Sequence, residues 1–357
     1  MSRRRSSRLS YVRLCSADAS LPSTLLSSVP HALLGYLSTR DACALRATCR
    51  EALAAVARFP WAESGYWSEA DQEWYPGTRI GRAGSSTSQC LARWRRCFPQ
   101  AAAANLEYTM DLTPQDVSAH LDGLLGVDLS GCQQLTDAHL ARFTALQRLV
   151  VRDCGQAALT GAAFAHLAGS LRFLVCGDCP QLPSAALAPL RGLETLVIWH
   201  CTSVGDAGLV PLRRLRTLVM GGCDQPSITD AALAALGGSL ERLIMWDCAQ
   251  PTLTDAGLAH LQRLTTLDMS GCCQATLTDA AFAPLAALRE LNVAGCTQLT
   301  DAALAHLAGV EELNVSHCPG LDGRGLAHLK ALKALRVAGC SAALRRRARA
   351  LGLPVVA

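Results

Sequence analysis

Leucine positions fall into one fixed phrase along most of this chain. In the stretch Leu193-x-x-Leu196-x-Ile198-x-x-Cys201, apolar residues two apart predict a short strand with Leu196 and Ile198 turned inward. A few residues later the pattern changes period. Leu299-Thr-Asp-Ala-Ala-Leu304 spaces its apolar positions as a helix does. Thr136-Asp137, Thr229-Asp230, Thr254-Asp255, Thr278-Asp279 and Thr300-Asp301 open such helices. The threonine hydroxyl can satisfy a free amide at the helix start, and the aspartate faces the positive end of the dipole.

The strand phrase closes on Cys132, Cys154, Cys179, Cys201, Cys223, Cys248, Cys272, Cys296, Cys318 and Cys340, at intervals of 22 to 25 residues. A period this short predicts a solenoid in which each unit stacks on its neighbours. One strand per repeat, paired in parallel, gives a curved sheet inside and helices outside. The ten repeats occupy residues 124–357, and the arginine-rich run 343–351 supplies a polar cap. Residues 101–123 read as a degenerate capping repeat: Leu106, Leu112-Thr113, Val117 and Leu121 follow the pattern, but no cysteine does.

Upstream the pattern is different. Residues 1–20 read as a disordered basic tail. Residues 21–61 predict a compact all-α segment, in which Leu33, Leu34 and Leu37 end one helix. Asp41 caps a second, which carries Leu45, Cys49, Leu53 and Val56. Residues 62–100 form a connector rich in Trp67, Trp74 and Trp94. Either its aromatics clamp the helical segment to the repeats, or it is a partly flexible linker with a short helix over 90–98.

The net charge of +4 changes this picture little, because it sits at the ends. Removing Arg3, Arg4, Arg5, Arg8, Arg13, Arg345, Arg346, Arg347 and Arg349 leaves the remainder at −5, which is no nucleic-acid surface. No apolar run reaches the roughly 18 residues that a membrane span needs. Seventeen cysteines in a long chain, ten of them locked to one repeat position, read as small buried thiols in a reducing, cytoplasmic or nuclear, compartment.

The phrase Leu-x-x-Leu-x-(apolar)-x-x-Cys-x-x-Leu-Thr-Asp-x-x-Leu resembles the cysteine-containing subclass of leucine-rich repeats, over residues 124 to about 344. Thr160-Gly161, Gly205-Asp206 and Asp322-Gly323 depart from it at the helix start, and Val310 replaces a leucine. The helical segment in front resembles an F-box through Leu33-Leu34-Gly35-Tyr36-Leu37, Asp41, Leu45, Cys49 and Arg50. Leu21-Pro22 stands too early and Val29-Pro30 too late for the usual Leu-Pro, and Ala52 replaces the usual tryptophan. The resemblance implies docking of a Skp-type adaptor and, through it, a cullin scaffold, by Val29, Pro30, Leu33, Leu34 and Leu37.

Catalytic chemistry is not indicated. Cys176 and Cys179 make a Cys-x-x-Cys, but Cys176 fills the inward strand position that Ile198 and Met220 hold in later repeats, and no second pair lies at zinc spacing. No metal, cofactor or nucleophile set is expected. His139, His166, His260 and His306 read as residues of the helix side or its edge.

The variable strand positions are more informative. At the fifth position Val150, Val175, Val197, Val219 and Ile244 form an apolar row, with Asp128 before it and Asp268, Asn292, Asn314 and Arg336 after it. Trp199 and Trp246 stand at the seventh position, Phe173 at the third, and Arg148, Arg152 and Arg242 among them. An exposed stripe of this make-up has the composition of a protein-binding hot spot. Four enlarged loops, after Cys154, Cys223, Cys248 and Cys272, lie on one rim of it.

Together these features predict a non-catalytic adaptor of an SCF-type E3 ubiquitin ligase that holds an unidentified target protein on the sheet face. The alternative is a stand-alone repeat scaffold or inhibitor with no link to ubiquitin.

Overall fold

The computed structural model describes residues 42, 45, 50–59, 61, 66–68, 73–75, 80, 86–223 and 226–356. Its contacts divide the chain into two compact units, Met1–Val151 and Arg152–Ala357.

In the first unit a helix spans Arg50–Arg58, with Val56 buried and Leu53 largely exposed. A short antiparallel pair follows, β1 (Tyr66–Ser68) with β2 (Glu73–Tyr75). The connector helix is real and covers Thr87–Cys97. Its first turn is capped from a distance: Asp111 accepts from the Thr87 amide at 3.0 Å and also from the Thr87 hydroxyl. Trp61, Trp94 and Phe98 are buried side by side, the Trp61 ring 5.7 Å from that of Phe98.

Strands β3 (Ala103–Asn105), β4 (Gly126–Asp128) and β5 (Arg148–Val150) then pair in parallel and in register. The capping repeat is therefore a true repeat. Leu106 takes the sixth position and Thr109 stands in the place of the cysteine, its amide closing on Leu106 O at 3.1 Å.

Among the described residues the second unit holds nine strands in chain order: β6 (Phe173–Val175), β7 (Thr195–Val197), β8 (Thr217–Val219), β9 (Arg242–Ile244), β10 (Thr266–Asp268), β11 (Glu290–Asn292), β12 (Glu312–Asn314), β13 (Ala334–Arg336) and β14 (Val355–Val356). From β7 onward each is parallel to the one before it, and equivalent positions are register partners. The final strand β14 lies beyond the arginine-rich cap helix (Ala342–Ala350) and was not expected from the pattern.

Two ladders join the repeats. The first uses the cysteines: the thiols of Cys132, Cys201, Cys223, Cys248, Cys272, Cys296, Cys318 and Cys340 each donate to the main-chain carbonyl at the sixth position of the preceding repeat. Examples are Cys201 to Cys176 O at 2.9 Å, Cys223 to Ile198 O at 3.2 Å and Cys296 to Met269 O at 3.1 Å. That explains a small buried donor at the strand end. All ten repeat cysteines are free thiols. Burial pushes Cys223, Cys272 and Cys296 up to about 12 and Cys318 up to about 11, so they stay protonated.

The second ladder runs along the helix starts. Thr229 caps its own helix by accepting from the Ala231 amide, while its hydroxyl donates to Asp206 of the preceding repeat at 2.6 Å. The same arrangement links Thr254 to Asp230, Thr278 to Asp255 and Thr300 to Asp279. Where Asp322-Gly323 departs from the pattern, Asp301 instead accepts directly from the amides of Asp322, Gly323 and Gly325.

One histidine expectation is corrected. His139 is buried rather than peripheral: Nδ1 pairs with Thr136 and Nε2 with Leu112 O at 3.0 Å. A carbonyl with no helical partner drew it in. His166, His260 and His306 are exposed, as expected.

Candidate functional site

The backbone at the eighth position of the phrase is left-handed in every repeat. Glycine meets this at no steric cost in Gly131, Gly222, Gly271, Gly295 and Gly339. Asp153, Asp178, His200, Asp247 and His317 adopt it with side chains attached, at φ between 51° and 58°, as does Tyr108 of the capping repeat at 54°. Aspartate and histidine tolerate this conformation better than most residues, yet each still costs about 1–2 kcal/mol. Four of them, Asp153, Asp178, His200 and Asp247, lie within residues 153–247, in the zone that also carries Trp199 and Trp246.

In that zone the side chains form a connected array. Asp178 accepts from the Trp199 indole N–H at 3.0 Å and pairs with His200 Nδ1 at 2.9 Å. The His200 ring then stands edge-on to Trp246, 5.8 Å between centroids and at 90°. Each indole lies over a glycine of the preceding repeat. A Cβ on Gly177 would sit 2.3 Å from Trp199, and one on Gly221 would sit 2.1 Å from Trp246. His200 and Asp178 remain about half exposed.

The expected exposure of the fifth-position row is corrected. Val175 and Val197 are 0 % exposed, and Val150, Val219 and Ile244 are 1 % exposed. Register partners in a parallel ladder stand about 4.8 Å apart, so consecutive β-branched side chains close against one another. The row is core. The polar residues beyond it have a structural task as well: Asp268 accepts from the Ser270 amide, Asn292 from Ala294 and Asn314 from Ser316.

Of the other expected residues, Phe173, Arg152 and Arg242 lie half-buried on the strand side of the second unit, with Trp199 and Trp246. Arg148 belongs to the first unit, where burial lowers its guanidinium from the ordinary value. The adaptor-docking residues Val29, Pro30, Leu33, Leu34 and Leu37 lie outside the described residues. Among the described residues, Cys176 is wholly buried at the sixth position, and no three His, Cys, Asp or Glu side chains gather as metal ligands.

No protein-family model matches this chain, and no curated protein matches it. Solved structures do. A chain of the TLR13–ssRNA13 complex superposes with a TM-score of 0.55 at 20% identity, over 69% of this chain and 37% of that one. This chain thus spans little more than a third of that protein. The described chain is a leucine-rich-repeat solenoid.

Two further likenesses have TM-scores below 0.5 and carry no argument. An internalin, InlF of Listeria monocytogenes strain 4b F2365, gives 0.46 at 17% identity, over 76% of this chain and 88% of that one. A chain of the Rad7 and Elc1 complex in yeast gives 0.48 at 16%, over 99% and 93%. No helix among the described residues of the solenoid is long and apolar enough to cross a membrane.

Sequence reasoning found the tryptophans but not what seats them. The signal was present: Gly177 precedes Trp199, and Gly221 precedes Trp246, by one repeat at the same position. The alternation of Gly with Asp or His at the eighth position was equally visible.

Proposed function

We propose that this protein is a target-recognition adaptor of an SCF-type ubiquitin ligase. In this reading it holds a target protein on the Asp178–Trp199–His200–Trp246 array and contributes no catalytic group of its own. The observation that carries the binding half is the clustering of non-glycine residues at left-handed positions beside two tryptophans. Glycine would serve the fold at lower cost, so the retained side chains point to selection for contact. Half-buried tryptophans with arginines nearby, here Arg152 and Arg242, have the composition of binding hot spots.

The ubiquitin half rests on the resemblance of residues 21–61 to an F-box. The full-length chain is expected to co-purify with a Skp-type adaptor, and Leu33→Asp to abolish that association. Retention of the adaptor by Leu33→Asp, or no association from the outset, overturns this half. Trp199→Ala and Trp246→Ala should each weaken target capture by about 2 kcal/mol, whereas His306→Ala on the helix side should not. Loss of the adaptor with a preserved tryptophan effect would leave a stand-alone scaffold.

A further inference from the structure

The second unit is electrically divided. Residues 152–321 carry nine arginines against fifteen carboxylates, whereas residues 322–357 carry eight basic residues against Asp322 alone. Asp322 is already engaged, by Arg347 at 2.6 Å and Arg324 at 3.0 Å. Arg345, Arg346 and Arg349 of the cap helix are exposed, as are Arg336 on β13 and Lys330. A polar cap needs only enough charge to keep the last repeat wetted. This end carries far more than that.

The same end exposes apolar surface. Leu351 is 50% exposed, Val355 41% and Val356 44%, three of the few large apolar side chains so exposed among the described residues. Val355 and Val356 form β14, whose only strand partner among the described residues is β13. Arg336 is the register partner of Val356, and Gly352 closes on Arg349 O just before the strand. Arg336 therefore stands beside the apolar edge, and the helix that carries Arg345, Arg346 and Arg349 leads into it.

We infer that this edge is a second docking site, for an extended polypeptide segment that alternates carboxylate and apolar side chains. The segment would lie along β14, with its apolar side chains on the face of Val355 and its carboxylates on the face that Val356 shares with Arg336. Its carboxylates would pair with Arg336, Arg345, Arg346 and Arg349. Guanidinium forks match carboxylates in two-bond geometry, and at this end Arg347 Nη1 already donates to a carboxylate oxygen of Asp322. Nucleic acid fits this end less well. No Phe, Tyr or Trp occurs after Phe282 to stack on bases, and phosphate contacts give no use to three exposed apolar side chains. The site is separate from the tryptophan array, so either can fail alone.

The test measures binding of a fluorescein-labelled Glu-Val repeat octapeptide to the full chain by anisotropy. Binding should weaken about tenfold between roughly 50 and 300 mM NaCl. It should weaken about tenfold in R345E/R346E/R349E and in V355D/V356D, with circular dichroism and melting unchanged. W199A should bind as the parent does. Less than a twofold change in both variants overturns the proposal, as does equal binding of a Lys-Val octapeptide. Preference for a 20-base-pair DNA duplex over the peptide overturns it in favour of nucleic acid. Salt-sensitive self-association that accounts for the whole R345E/R346E/R349E effect overturns it in favour of a second copy.

Discussion

The carboxylate of Asp230 receives both the main-chain N–H and the hydroxyl of Thr254, at 2.8 and 2.6 Å, across the boundary between two repeats. One aspartate thus serves two ends: it stands in the first turn of its own helix and holds the residue that begins the next. Asp230→Ala removes a charged acceptor from two donors. It should destabilise the protein by about 2–3 kcal/mol in urea unfolding, well above the few tenths expected of an exposed change such as His306→Ala. Equal costs for the two would mean that the ladder is decorative.

Gly221→Ala places a methyl group where the Trp246 indole lies. The ring is the movable partner, so the indole should be displaced into solvent rather than the strand broken. Its fluorescence should shift to the red and become more quenchable by acrylamide, with only a modest loss of stability, about 1–2 kcal/mol. Target capture should fall as it does for Trp246→Ala. An unchanged emission spectrum would show that the indole does not rest on the glycine.

The buried thiols set an alkaline limit. For Cys223, Cys272 and Cys296 the folded value lies near 12 against an ordinary 9.0, because burial opposes the thiolate. A raised folded value contributes stability that is complete below pH 9 and is lost as pH rises toward 12. Chemical denaturation should show a falling midpoint across that window, less steep in Cys223→Ala. At neutral pH these thiols should resist iodoacetamide in the native state, while the exposed Cys273 reacts.

Gln250 and Gln298 make opposite forecasts from the same residue type. Gln250 is 2 % exposed, and no described protein group bonds either end of its amide. The amide nitrogen of Gln298 bonds Cys272 O at 2.9 Å and Leu277 O at 3.2 Å, spanning an enlarged loop of the preceding repeat. Gln250→Met should be neutral or stabilising by about 1 kcal/mol, whereas Gln298→Met should cost about 1–2 kcal/mol. A reversed order in thermal melts would contradict the described pairing.

Much of the fold was legible because its signal is repetition. Leu196 and Ile198, or Thr254 and Asp255, state the same strand and the same helix start that their equivalents state elsewhere. The periodicity also located the cysteines, but not their purpose, because a thiol donating to a carbonyl of another repeat leaves no mark in one phrase. The fifth-position row misled for a related reason. Val197 reads as exposed when one strand is considered alone, and as core once Val175 and Val219 flank it in register. The tryptophan seats and the left-handed turns were written in the sequence one repeat away from the residues they serve. They become readable only when repeats are aligned in pairs. β14 had no pattern to announce it, since two valines after Pro354 are too few to show a period.

The two ladders have a consequence for how such a chain can change length. From Asp206 to Thr300 successive repeats share both bonds, thiol to carbonyl and threonine to aspartate, in the same way. Excising or duplicating one copy within that stretch, with both cuts at equivalent positions, would therefore re-form both bonds. Copy number is a free variable of this molecule. The pairs Gly177 with Trp199 and Gly221 with Trp246 are not, because each needs a particular predecessor. Gain or loss of repeats is thus tolerable beyond Cys248 and costly between Cys179 and Cys248.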